Sequence, residues 1–261
     1  MLFIALCAYI GAAIYPGGKK NTAAVSRVTI SDCVEMTGIA LREEQSADCS
    51  GSAENGTRLP AGAVYAFAAD GAELCTPASA MFFSECDGYE YLSPADVENL
   101  TVASLNELLR MKPENKGGAR IVTGRAWYYA ALIPADAPLP AKGLCRITPD
   151  DTGETITACI VSVSAAEGGK RALLLRLTED SPECLSLRHF SAALVTHEYS
   201  GLMIPESALR QDEDGKNYVI TAAAGEELKA PVEIIYTGAG FCLVSPEDRE
   251  VLRDGSRVIL D

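Results

Sequence analysis

Between Ala119 and Ser200 the chain carries five runs that alternate or cluster apolar residues, RIVTGRAWYYAALI, GLCRIT, ETITACIVSVSA, KRALLLRLT and FSAALVTHEYS, separated by Pro, Asp and Gly turns. That succession is the tightest constraint on the fold. Short strands joined by turns at such intervals build a small antiparallel barrel or sandwich, and closing the sheet removes the exposed edges that would otherwise pair with other chains.

The flanking segments read the same way. VSRVTISDCVEMTGIALREEQ places Val25, Val28, Ile30, Val34, Ile39 and Leu41 at a period near two, with a bend at Gly38. From Cys49 to Phe83 the apolar pieces are short, and Asn55-Gly56 and Asp70-Gly71 are hairpin dipeptides that supply positive φ cheaply. Four further strands are expected at Asn217 to Thr221, Pro231 to Tyr236, Phe241 to Val244 and Arg257 to Leu260. Within YSGLMIPESALRQDEDGKNYVI, Pro205 cannot donate to a ladder and belongs at a strand edge or a crossing between two β units, and Asp212 to Lys216 forms a hairpin turn.

One stretch is helical. Ser93, Pro94 and Asp96 form a start signal, Val97, Leu100, Leu105, Leu108 and Leu109 keep mostly helical spacing, and Ser104 with Glu107 offers a second capping box. One or two short helices ending before Pro113 are expected. The length of 261 residues suits one large β-rich unit or two to three small ones, and 48% hydrophobic residues suffice for a core.

The net charge of -14 would repel a phosphate backbone, which argues against nucleic-acid binding. The nine cysteines form no C-x-x-C pair and read as small buried hydrophobes. His189 and His197 lie eight positions apart, about 26 Å along a strand, too far to share a metal. No G-x-S-x-G surrounds Ser200, and no phosphate-binding glycine motif is present. Glu43-Glu44 and Asp212-Glu213-Asp214 read as solvated turns, and Trp127, Tyr128 and Tyr129 as strand packing with a wet aromatic edge rather than a base-stacking platform. No residue is assigned a catalytic, cofactor-binding or metal role, and no cofactor is expected.

Residues 1 to 15, MLFIALCAYIGAAIY, hold no charge and are followed by Pro16, Gly17, Gly18 and the pair Lys19-Lys20. A spanning helix needs about 20 apolar residues. An anchor over 1–16, shortened at its start, a cleaved signal and a buried strand or helix all fit, and the anchor is the expectation adopted. It would place residues 1–15 in the lipid bilayer as a single-pass N-terminal apolar helix, with the bulk of the chain outside the cytoplasm.

Taken in order, TGIALREEQ (Thr37 to Gln45), ENGTRLPAGAVYA (Glu54 to Ala66), CDGYEYLSP (Cys86 to Pro94), GRAWYYAALI, YSGLMIPESALR with GKNYVI, and LRDGSRVIL resemble the HlyD-type periplasmic adaptor, or membrane fusion protein, family in its Firmicutes form. The resemblance implies a mainly β fold: a membrane-proximal β domain from 24–48 with 198–261, a degenerate half-lipoyl-like β unit over 49–88, a helical segment over 89–116 and a β-barrel over 117–197. It also implies a non-enzymatic adaptor subunit of an efflux or secretion transporter, partnered by an ABC- or RND-type permease and able to form homo-oligomers. The alternative is a cell-envelope module that binds wall polymer or a division protein. Only nine residues separate Ala66 from Thr76, too few for the helical hairpin arm of many such adaptors, and no lysine stands at a lipoyl-type tip.

Overall fold

The computed structural model describes residues 21–48, 53–97, 99–114, 117–140, 143–223 and 226–260. In chain order the elements are β1 (Thr22–Ala24), β2 (Ser26–Leu41), β3 (Glu44–Ala47), β4 (Arg58–Leu59), β5 (Val64–Phe67), β6 (Glu73–Cys75), β7 (Ala80–Phe83), α1 (Val102–Arg110), β8 (Ala119–Val122) and β9 (Trp127–Pro134). They continue with β10 (Leu144–Pro149), β11 (Ile156–Val163), β12 (Lys170–Leu177), α2 (Pro182–Ser186), β13 (His189–Pro205), β14 (Arg210–Gln211), β15 (Asn217–Ala223), β16 (Glu226–Gly238), β17 (Phe241–Pro246) and β18 (Arg257–Ile259). Two compact units divide the chain: Met1–Asp32 with His197–Asp261, and Cys33–Thr196. The long strands β2 and β13 each contribute to both.

The terminal unit joins the first and last described strands, because β1 pairs antiparallel with β18. From β18 the sheet runs through β15, β16 and β17 to the C-terminal part of β13. Val25, Leu202, Ile204, Val219, Val232, Val244, Leu252 and Val258 are buried together as an aliphatic core. Pro205 ends β13 opposite Phe241, and a 3₁₀ turn, Glu206–Ala208, follows it. Its missing N–H therefore costs no ladder bond. Asp212 to Lys216 is the tight turn between β14 and β15, with the Asp212 and Lys216 backbones bonded at 3.0 Å.

In the inner unit, β2, β9, β12, β11, β10 and β13 are hydrogen-bonded in that order, and a β13–β2 pairing closes them into a six-stranded barrel. Strand alternation fills its interior. Trp127, Tyr129, Ala131 and Ile133 of β9 point inward with Ile147, Ala158, Leu173, Leu175, Leu177, Phe190 and Leu194. On the opposite face, Ile39, Leu41, Ala130, Ala172 and Leu174 are covered by Tyr89, Leu92, Val97, Val102 and Leu105. Thus α1 lies on β9 and β12, buried along one stripe. Gly38 permits the close approach of β2 to β9, since a Cβ there would stand 2.3 Å from the Ala130 carbonyl oxygen.

A second, four-stranded sheet of order β3-β8-β7-β4 and a β5–β6 hairpin complete this unit around Tyr65, Ala66, Phe82 and Ile121. Residues 67–75 form the end of that hairpin, turning at Ala68 and Gly71. Thr101 caps α1 and exchanges bonds with Ser104, so the capping box lies one turn earlier than the expected Ser104–Glu107 pair. Ser93 and Asp96 instead bracket a 3₁₀ turn, Pro94–Val97.

The mainly β fold, the barrel and two short helices are present, but the expected N-terminal apolar helix is corrected. Among the described residues no helix is long and apolar enough to cross a membrane, because α1 has nine residues and α2 five where a span needs about 20. The single-pass anchor over 1–16, the bilayer contact through 1–15 and the membrane localisation drawn from them consequently have no support in the described fold. The segment on which they fall, 1–20, lies outside the described residues.

Candidate functional site

Chain direction changes several times at one end of the barrel, and charge gathers there. After β2 ends at Leu41 the alternation continues: Arg42 points inward, Glu43 outward and Glu44 inward at the start of β3. The side chains of Arg42 and Glu44 are both 0% exposed. Arg120 on β8, Arg188 immediately before β13 and Asp87 in the segment after β7 converge on them.

Glu44 is the centre. One carboxylate oxygen accepts from Arg120 Nη1 at 2.7 Å and lies 3.8 Å from Arg42 Nη1, and the other accepts from Arg188 Nη2 at 2.5 Å. Arg188 Nε donates to Asp87 Oδ2 at 2.8 Å. The three guanidiniums also satisfy main-chain carbonyls where strands and helix end. Arg42 Nη2 donates to Cys184 O at 3.1 Å and to Leu187 O, closing the C-terminal end of α2. Arg188 Nη1 donates to Ala40 O at 2.9 Å, and Arg120 Nε to Glu85 O at 3.2 Å. Each guanidinium also faces a ring: Arg42 over Trp127 at 5.1 Å, Arg120 over Phe83 at 4.7 Å and Arg188 over Tyr89 at 5.8 Å.

Burial and then the nearby Arg188 lower the Arg42 guanidinium to about 9, which leaves it cationic at neutral pH. Burial pushes the Asp87 carboxyl upward, but the Arg188 hydrogen bond and charge outweigh it and hold the group below its ordinary value. For Arg188, burial opposes the charge while Glu44 and Asp87 favour it, and the favourable interactions win. Arginine exchanges no proton under these conditions. Burial pushes the adjacent Cys86 thiol up to about 12 and raises that of Cys184, so neither offers a thiolate. The cluster is suited to holding main chain in place.

The other residues weighed in the sequence are dispersed. His189 meets Tyr89 edge-on at 4.9 Å, and burial, then Arg188, lowers its pKa. His197 belongs to the terminal unit and packs on Tyr199 at 4.4 Å. Glu43 is exposed as expected of a solvated turn, but Glu44 is not. Trp127 and Tyr129 are core residues whose polar ends reach Glu179 O and Phe190 O, both at 2.7 Å, so neither forms a wet edge. Among the described cysteines, Cys86, Cys145, Cys184 and Cys242 are buried, whereas Cys33 and Cys75 are exposed. No group of three or more His, Cys, Asp or Glu among the described residues is placed to hold a metal ion. An open cleft of about 480 Å³ on the inner unit, lined by Glu35, Met36, Leu109, Leu132 and Lys170 among others, is mostly apolar.

No family model and no curated relative matches the chain. Among solved structures it is similar to ZneB from Cupriavidus metallidurans, with 10% sequence identity, 92% of each chain covered and a TM-score of 0.30.

Proposed function

We propose that this chain is a non-catalytic adaptor subunit of an efflux or secretion transporter, of the HlyD type, that engages a membrane permease. The observation that carries the reading is the nested path of the chain. β1 and β18, the first and last described strands, pair in one unit, while β2 and β13, of 16 and 17 residues, carry the chain out into the barrel unit and back. A chain arranged in this way can present separate β modules to a partner while its first and last described strands stay paired in one sheet. The Glu44 cluster supports the reading because it secures strand ends through bonds to main-chain carbonyls. The charge of -14 favours protein partners with basic surfaces over nucleic acid.

The test is crosslinking of the full chain in the cells that make it, followed by identification of what it captures. The expected product is a permease, with loss of export when the chain is deleted. Capture of wall polymer or a division protein alone would favour the envelope-binding reading, to which the short 67–75 hairpin end lends weight because it offers no helical arm for a distant channel.

A further inference from the structure

The terminal unit carries a row of rings that neither its core nor the adaptor reading uses. His197 and Tyr199 are two apart on β13 and so share one face of the sheet. Their ring centroids are 4.4 Å apart, Tyr199 lies 5.2 Å from Tyr236 of β16, and Tyr236 lies 6.2 Å from Phe241 of β17. His197 is exposed, and the other three rings are partly exposed. Bare backbone supports the row: a Cβ on Gly238 would stand 2.9 Å from the Tyr236 phenol oxygen, so only glycine lets that ring lie where it does. A carboxylate joins the rings, because the Tyr199 hydroxyl donates to Asp32 Oδ2 at 3.0 Å.

We propose that this row, with Asp32, is a binding site for an organic cation that has an apolar or aromatic body. Ring faces carry negative quadrupole potential and attract ammonium, guanidinium or iminium charge, and a neighbouring carboxylate adds a fixed anion to the same surface. The chain's charge of -14 raises the local concentration of cations and lowers that of anions. The aromatic surface stacks the body of such a ligand, while Asp32 selects its sign. A neutral sugar could stack on the same rings but would gain nothing from the acidic field. This assignment does not depend on the adaptor reading, since the isolated chain either binds such a cation or does not.

The experiment is a titration of the full chain with ethidium as the cationic aromatic probe, using 8-anilinonaphthalene-1-sulfonate as its anionic counterpart and chitotriose as a neutral sugar. Saturable ethidium binding is expected, weakened by added salt and not displaced by the sulfonate or by chitotriose. Tyr199→Ala and Tyr236→Ala should each weaken it roughly 3- to 30-fold, the range of single cation–ring contacts. Asp32→Asn, which keeps the side chain's shape should either tyrosine variant fail to fold, should weaken it severalfold, whereas Tyr199→Phe retains the ring and most of the affinity. Absence of saturable ethidium binding, affinity unchanged in Asp32→Asn, or equal binding of the sulfonate would overturn the proposal. Saturable chitotriose binding lost in Tyr236→Ala would overturn the choice of a cation.

Discussion

The two compact units solve the same problem by different means. The terminal unit is a largely continuous antiparallel sheet whose buried side chains are almost all aliphatic, and the ion pair Lys229–Asp212 lies at its surface. The inner unit must pass its chain between a closed barrel, a four-stranded sheet and two helices, and at those passages main-chain carbonyls lose their ladder partners. There the sequence places Arg42, Arg120 and Arg188, which donate to Cys184, Leu187, Glu85 and Ala40 carbonyls, with Glu44 and Asp87 balancing much of their charge. Apolar burial suffices where ladders continue, and buried charge appears where they stop, because an unpaired buried carbonyl costs about 1–3 kcal/mol.

That contrast can be broken by mutation. The largest effect is expected at Glu44. Glu44→Ala leaves three buried or nearly buried guanidiniums facing one remaining carboxylate and should destabilise the inner unit by about 3–5 kcal/mol, read by urea denaturation monitored through the single tryptophan, Trp127. In the terminal unit, Ile204→Ala opens a cavity in an aliphatic core and should cost about 2–4 kcal/mol, with no dependence on pH between 3 and 8. An equal response to acid in Ile204→Ala and in a cluster variant would erase the distinction.

Asp87 supplies the pH test. Its folded pKa lies below the unfolded value of about 3.9, so its contribution is complete above that value and is lost as pH falls through the folded pKa. Asp87→Asn should cost about 1 kcal/mol at pH 7, allowing for its partial exposure, and should flatten the acid limb of the stability profile. The smallest effect is expected at Lys229→Ala, which breaks only the exposed pair with Asp212 and should leave the thermal midpoint unchanged within error.

Much of the architecture was legible because strand alternation is local. Trp127, Tyr129, Ala131 and Ile133 announce an inward face by their period of two, and the Pro205 and Asp212 to Lys216 signals end and turn strands as read. The cluster was not legible. Glu43-Glu44-Gln45 looks hydrophilic in a window of three, yet Arg42 and Glu44 continue the inward set of Met36 and Ala40, a signal that was available. Their partners could not be seen, since Arg120 and Arg188 stand 76 and 144 residues from Glu44. The start of α1 was misplaced for a subtler reason. Ser104 serves as the box partner of Thr101 rather than as a cap, two roles for which serine offers the same hydroxyl. In the aromatic row, the His197 and Tyr199 spacing is visible in the sequence, whereas Tyr236 and Phe241 join it only through sheet order.

A double-mutant cycle between Glu44→Ala and Arg188→Ala, with stability measured at pH 7, tests most directly whether the buried cluster acts as one unit that secures the strand ends. A coupling energy above about 2 kcal/mol is the predicted result, because the Glu44–Arg188 bond is a short charge-assisted contact in a nearly dry site and either single variant already removes it whole. Additivity within about 0.5 kcal/mol would contradict it, reducing the arginines and carboxylates to independent neighbours.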